Sequence, residues 1–129
     1  MNNLSLVTKI RINSMPFENL EYLKIKKRKF LIYNEQEILL FNQNLSYKKL
    51  SSFLEEDEIY VQFIKKISCG KFLSLINNNI YIFSIEPEIK IMKKLKFENN
   101  QWISDANELK NGIILAITDN SILKIVINM

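Results

Sequence analysis

The chain contains no histidine. That removes the commonest general base, and with it any Ser–His or Cys–His dyad. Its one cysteine, Cys69, lies in the turn Ser68-Cys69-Gly70-Lys71. Lys66 and Lys71 stand near enough in sequence to favour a thiolate, but a plain turn cysteine is the better reading. One Cys without His cannot build a zinc site of the usual Cys/His kind. The acid run Glu55-Glu56-Asp57-Glu58 offers oxygen ligands. It lacks the alternate-position spacing of a calcium loop and reads as a solvated loop. No pair of acids is singled out as a glycosidase pair would be. The expectation is a non-enzymatic protein with no cofactor and no metal.

Two features could serve recognition. The basic run Lys24-Ile25-Lys26-Lys27-Arg28-Lys29 is the densest charge cluster, and Lys65, Lys66 and Lys71 follow further along. A run of this kind suits a nucleic-acid or other anionic partner. The candidate patch is therefore Lys24, Lys26, Lys27, Arg28, Lys29, Lys65, Lys66 and Lys71. The net charge is only +4, however, and nearly all of the positive charge is Lys. Abundant Lys, Asn and Ile together also fit an AT-rich coding sequence. There is no Gly-rich phosphate loop. The aromatics are mostly Phe in strand-like runs, which suits a core more than a base-stacking platform. The second feature is Trp102, the only tryptophan. It is a candidate protein contact, since Trp is enriched in binding hot spots, and packing is the alternative.

The elements that must position these residues repeat every 42 residues. Arg28–Phe41 (RKFLIYNEQEILLF), Gly70–Phe83 (GKFLSLINNNIYIF) and Gly112–Ile125 (GIILAITDNSILKI) align without a gap. Phe30, Phe72 and Ile114 share a place, as do Ile38, Ile80 and Ile122. Short apolar runs between Asn and Gly turns favour hairpins. The first repeat reads as strands at Tyr22–Ile25, Phe30–Tyr33, Ile38–Phe41 and Ser46–Phe53. The second reads as Val61–Ile67, Phe72–Ile76, Ile80–Ile85 and Ile89–Phe97. The third reads as Trp102–Leu109, Ile113–Thr118 and Ile122–Ile127. A helix over Leu50–Lys66 competes, but its apolar spacing crowds several faces. The basic turns should share one end of the sheets. The Glu55–Glu58 loop should lie at the other, near Glu35 and Asp119.

A period in the low forties with paired short strands is the mark of propeller blades. The pattern resembles the WD-repeat β-propeller, most closely at Leu109–Ala116 followed by Thr118–Ile122. The family's Trp-Asp pair is replaced by Phe41-Asn42, Phe83-Ser84 and Ile125-Val126, and its Gly-His pair is missing. The resemblance implies blade geometry and a binding role, and transfers no functional residue. The expected fold is all-β, a partial β-propeller of about three four-stranded antiparallel blades. Residues 1–129 form a single repeat domain, with repeats near 17–58, 59–100 and 101–129, and with 1–13 as a spare outer strand.

Three blades are too few to close a ring. Two chains joined into six blades, completion of a larger partner, or a piece of a longer protein would each resolve this, and an unrelated β-sandwich is the remaining alternative. In the two-chain version Leu4–Ile12 would pair beside Ile122–Ile127 of another copy. The expected partner is another protein or a second copy, with nucleic acid as the alternative. No apolar run reaches membrane-spanning length, and no secretory leader is evident. A lone cysteine fits a reducing, cytoplasmic location, with the nucleus as the alternative.

Overall fold

The structure is a computed structural model that describes residues 5, 6, 9, 20–26, 28–97 and 101–127. It contains three antiparallel sheets. The first is β1 (Glu21–Lys26), β2 (Lys29–Tyr33), β3 (Ile38–Asn42) and β4 (Tyr47–Lys49), paired in chain order. The second is β5 (Val61–Lys66), β6 (Lys71–Ile76), β7 (Asn79–Ser84) and β8 (Lys90–Leu95), again in chain order. The third is β9 (Ile103–Lys110), β10 (Ile113–Thr118) and β11 (Ile122–Val126). None of these sheets closes on itself.

The sequence repeat is a repeat of register. Phe30 faces Phe41 across β2 and β3, Phe72 faces Phe83 across β6 and β7, and Ile114 faces Ile125 across β10 and β11. The inner pairs keep step as well. Lys24 lies opposite Phe30, Lys66 opposite Phe72, and Glu108 opposite Ile114. Because side chains alternate between faces, equal register gives the three sheets equivalent faces.

Those faces stack. One core joins Leu31, Ile38 and Leu40 of the first sheet to Ile64, Phe72, Tyr81 and Phe83 of the second. The other face of the second sheet carries Leu73, Leu75, Ile80 and Ile82. They pack against Ile103, Ala106, Ile114 and Ala116 of the third. The middle sheet is thus buried on both sides, and β6 is buried at every position from Phe72 to Ile76, Ser74 included.

Turn chemistry follows the sequence. Asn77 and Asn78 make a two-residue turn between Ile76 and Asn79, with φ of 54° and 59°. Two left-handed residues in a row are what a tight hairpin turn requires, and Asn tolerates that conformation without a glycine. Asn34 holds the equivalent turn of the first sheet, its Oδ1 accepting from the N–H groups of Gln36 and Glu37 at 2.8 and 3.0 Å. In the third sheet Thr118 Oγ1 accepts from the N–H of Ser121 at 3.0 Å.

The fourth strand of the first repeat is not Ser46–Phe53 but only Tyr47–Lys49. The chain then turns into a short 3-10 helix, Ser51–Leu54. Leu50 and Leu54 leave the sheet to fill the opening between the first two sheets, where they are 4% and 7% exposed. Burying two leucines outweighs a few further pairs at an exposed edge. No helix forms over Leu50–Lys66 beyond that turn. The strand expected over Leu4–Ile12 lies outside the described residues, apart from Ser5, Leu6 and Lys9.

Phe72 is 1% exposed and stacks on Phe83 with ring centroids 5.5 Å apart. Phe72→Ala should cost about 3–5 kcal/mol, and Phe53→Ala, at a 45% exposed position, should cost well under that. Urea unfolding of both variants checks this. Equal costs would mean that the stacked face is not the core.

Candidate functional site

Cross-sheet contacts fix the order of the strand ends. At one end Lys66 Nζ donates to the Ile25 carbonyl at 3.1 Å, Lys29 pairs with Glu86, and Ser68 Oγ donates to Glu108 at 2.6 Å. At the other end the Val61 N–H donates to the Glu35 carbonyl at 2.7 Å. Asn78 Oδ1 there accepts from the Ile103 N–H at 2.9 Å, and Asn78 Nδ2 donates to the Gln101 carbonyl at 2.7 Å.

The first end gathers the turns that carry Lys26, Arg28, Lys29, Lys66, Lys71 and Lys110. Glu86, Glu88 and Glu108 stand among them. Lys29 is engaged by Glu86, and that ammonium, hydrogen-bonded to the carboxylate, holds the Glu86 carboxyl below its usual range. Lys24 is exposed on the outward face of the first sheet. Lys65 is drawn away from the turn. Its ammonium donates to Asp105 Oδ1 at 2.7 Å, Asn107 Oδ1 at 2.8 Å and the Ala106 carbonyl at 3.0 Å, tying the second sheet to the third. Lys27 lies outside the described residues.

The second end carries Glu21, Glu35, Glu37, Asp119 and the run Glu55–Glu58, with Lys49 and Lys94 beside them. Glu56 is committed. Its carboxylate accepts from Tyr81 Oη at 2.8 Å and from Asn77 Nδ2 at 3.2 Å. Desolvation first, and the Glu56 hydrogen bond second, push the Tyr81 phenol well above its ordinary value. No cluster of three or more potential metal ligands forms among the described residues. Trp102, 57% exposed, sits just ahead of β9 at this end. Tyr60, 51% exposed, holds the same place ahead of β5.

The surface that sequence reasoning passed over is the outward face of the third sheet. Alternation puts Ile113, Leu115 and Ile117 of β10 on that face, opposite Val126, Lys124 and Ile122 of β11. Ile117 is 41% exposed, Ile122 71% and Val126 59%. One repeat earlier, Leu75 and Ile80 stand in the places of Ile117 and Ile122 and are buried. The missed signal was that β11 is apolar on both faces although its outward residues are exposed. Lys124, in the place of Ile82, is the one concession.

The outward face of the first sheet differs. Tyr22, Phe30, Phe41 and Tyr47 form a ladder of rings across all four strands, with centroids 5.4, 5.3 and 5.0 Å apart. Leu39 and Phe41 are buried there, Phe30 and Ile32 half-buried, and Tyr22 and Tyr47 exposed. A cleft of about 540 Å³ opens beside it, lined by Lys29, Phe41, Tyr47, Phe53 and Glu88 among others.

No family model matches the chain, and no curated protein matches it.

The raised Tyr81 pKa has a stability consequence with a definite sign. A phenol kept neutral by the fold contributes stability below the unfolded tyrosine pKa, about 10. That contribution is lost as pH rises through the folded value. Tyr81→Phe should therefore flatten the alkaline decline in stability above about pH 10, leaving a residue from Tyr33, whose pKa burial also raises. Chemical denaturation across alkaline pH measures this. An unchanged alkaline slope in the variant would contradict it.

Proposed function

We propose that the chain is a non-enzymatic protein-interaction module, a partial propeller-like stack of blades that works within a larger assembly. The observation that carries this reading is the exposed apolar face of the third sheet. Contiguous apolar surface on a folded domain marks an interaction site. Here its counterpart in the preceding repeat is buried by a neighbouring sheet. The repeat supplies the mechanism. Each sheet offers one face to the sheet before it and one to the sheet after it, and the third sheet has a face left to offer. Trp102 and Tyr60, exposed near the connections, would add aromatic contacts at the rim.

A dye that fluoresces on apolar surface, together with light scattering, tests this. The wild-type chain should either associate or bind the dye. The double substitution Ile117→Asp with Ile122→Asp should abolish whichever occurs. The circular dichroism spectrum should stay unchanged, although the two aspartates, paired directly across β10 and β11, cost some stability. A chain that neither associates nor binds dye would overturn the reading.

A second reading is favoured by the concentration of lysines at one end. It is an anionic partner, nucleic acid included, held by Lys26, Arg28, Lys66 and Lys71. Counterion release makes such binding fall steeply with salt. Lys26→Glu with Lys66→Glu should then weaken binding to a polyanion strongly at low salt and little at high salt. Polyanion binding that is absent at low salt, or indifferent to both substitutions, would exclude it.

A further inference from the structure

The cleft between the outer parts of the first two sheets is a feature apart from the open face of the third. It opens where β4 ends after three residues and the chain turns into the 3-10 helix. Residues 85–89, between β7 and β8, form the opposite wall. Leu40, Phe41 and Ile85 line it as buried residues, whereas Tyr47 and Phe53 are 42% and 45% exposed. Its volume of about 540 Å³ lies in the range of clefts that hold a ligand. The two walls are tied in place. Lys29 of β2 pairs with Glu86 across the gap. Ser84 Oγ donates to the Glu88 carbonyl at 3.2 Å, and the Asn42 N–H donates to the Ser46 carbonyl at 3.0 Å. A site whose loops are already held loses little freedom when it is filled.

The charges of the lining are divided between the walls. Lys48 lies opposite Leu40, whose side chain belongs to the core between the two sheets. Alternation therefore turns Lys48 toward the second sheet. Glu88 stands on the other wall, just ahead of Ile89, which packs against the same core. Both are exposed, and neither forms an ion pair among the described residues. Two opposite charges thus face each other across apolar ground without meeting.

We propose that this cleft binds a short extended segment of a partner protein. A large apolar side chain of that segment sits against Tyr47 and Phe53, its acidic neighbour meets Lys48, and its basic neighbour meets Glu88. The rings supply area for the anchor. In an extended chain the residues on either side of an anchor point away from it, so they reach the rim while the anchor enters. The opposed charges fix which way the segment lies. A segment with like charges on both sides would set one of them against its own kind. The site is separate from the third sheet's apolar face and does not depend on it.

Fluorescence anisotropy with labelled synthetic peptides provides the test. The probes share Gly-Ser flanks and differ at the centre, which is Asp-Phe-Lys, Asp-Phe-Asp or Lys-Phe-Lys. The full chain should prefer Asp-Phe-Lys by about tenfold, the scale of a like-charge penalty at a rim. Lys48→Glu should turn the preference to Lys-Phe-Lys, and Glu88→Lys should turn it to Asp-Phe-Asp, each with an unchanged circular dichroism spectrum. If Lys48→Glu does not fold, Lys48→Gln takes its place and should abolish the preference for Asp-Phe-Lys over Lys-Phe-Lys. Phe53→Ala, or a probe with Ala in place of Phe, should weaken binding by about tenfold. Ile117→Asp with Ile122→Asp should bind the peptide as the wild type does, so the cleft and the third sheet's face succeed or fail separately. Absence of binding at about 1 mM peptide overturns the proposal. So does a preference that the charge reversals leave unmoved. Free phenylalanine that binds as tightly as the peptide overturns it too, because the cleft would then serve a small ligand and not a protein segment.

Discussion

The structure depends on a middle sheet that has no face for water. Leu73, Leu75, Ile80 and Ile82 project to one side, and Phe72, Ile76, Tyr81 and Phe83 to the other. Neither set tolerates exposure, since each buried aliphatic or aromatic side chain contributes about 1.5–3 kcal/mol by leaving water. A second sheet alone would cover half of this surface. The stack of three is the smallest arrangement of these repeats that covers all of it. The sheets are then held in step by polar contacts at the strand ends. Lys65 spans from the second sheet to three acceptors on β9, and Asn78 meets both the carbonyl and the N–H at the start of that strand. Such contacts add little net stability singly, but they specify how far one sheet slides over the next.

The same constraint makes the ends of the stack unequal. On the first sheet's outward face Leu39 and Phe41 are buried, and a ladder of rings that includes Phe41 crosses the strands. The third sheet leaves Ile117, Ile122 and Val126 open. That asymmetry gives the stack a direction, and the proposed function grows from it. Several charged groups are engaged in holding the structure together. Glu56 anchors the Tyr81 phenol, Glu108 takes both donors of Ser68, and Lys29 meets Glu86.

Much of the fold was legible because the repeat keeps residue types at fixed places. Phe30, Phe72 and Ile114 announce three equivalent strands, and Asn77-Asn78 announces a tight turn. What stayed hidden depended on contacts between sheets. Lys65 and Lys66 are neighbours of the same type, yet one reaches β9 and the other the Ile25 carbonyl. Alternation sends them to opposite faces, and only the stacking order says what each face meets. The strand expected over Ser46–Phe53 ran too far for a similar reason, because Leu50 leaves the sheet to fill, with Leu54, a gap between sheets. The open face of the third sheet was passed over because Ile122 and Ile125 look alike in sequence, although one faces out and the other packs inward.

Native-state hydrogen exchange tests the central claim most directly, because local protection follows the burial and cooperativity of each strand. If the middle sheet is covered on both sides, the amides of β6 and β7 should exchange slowest in the chain, near the rate set by global unfolding. Those of β10 should exchange faster, and those of β11, outermost in its sheet among the described residues, faster still. Exchange in β6 and β7 that outpaces β10 would contradict the stacked arrangement.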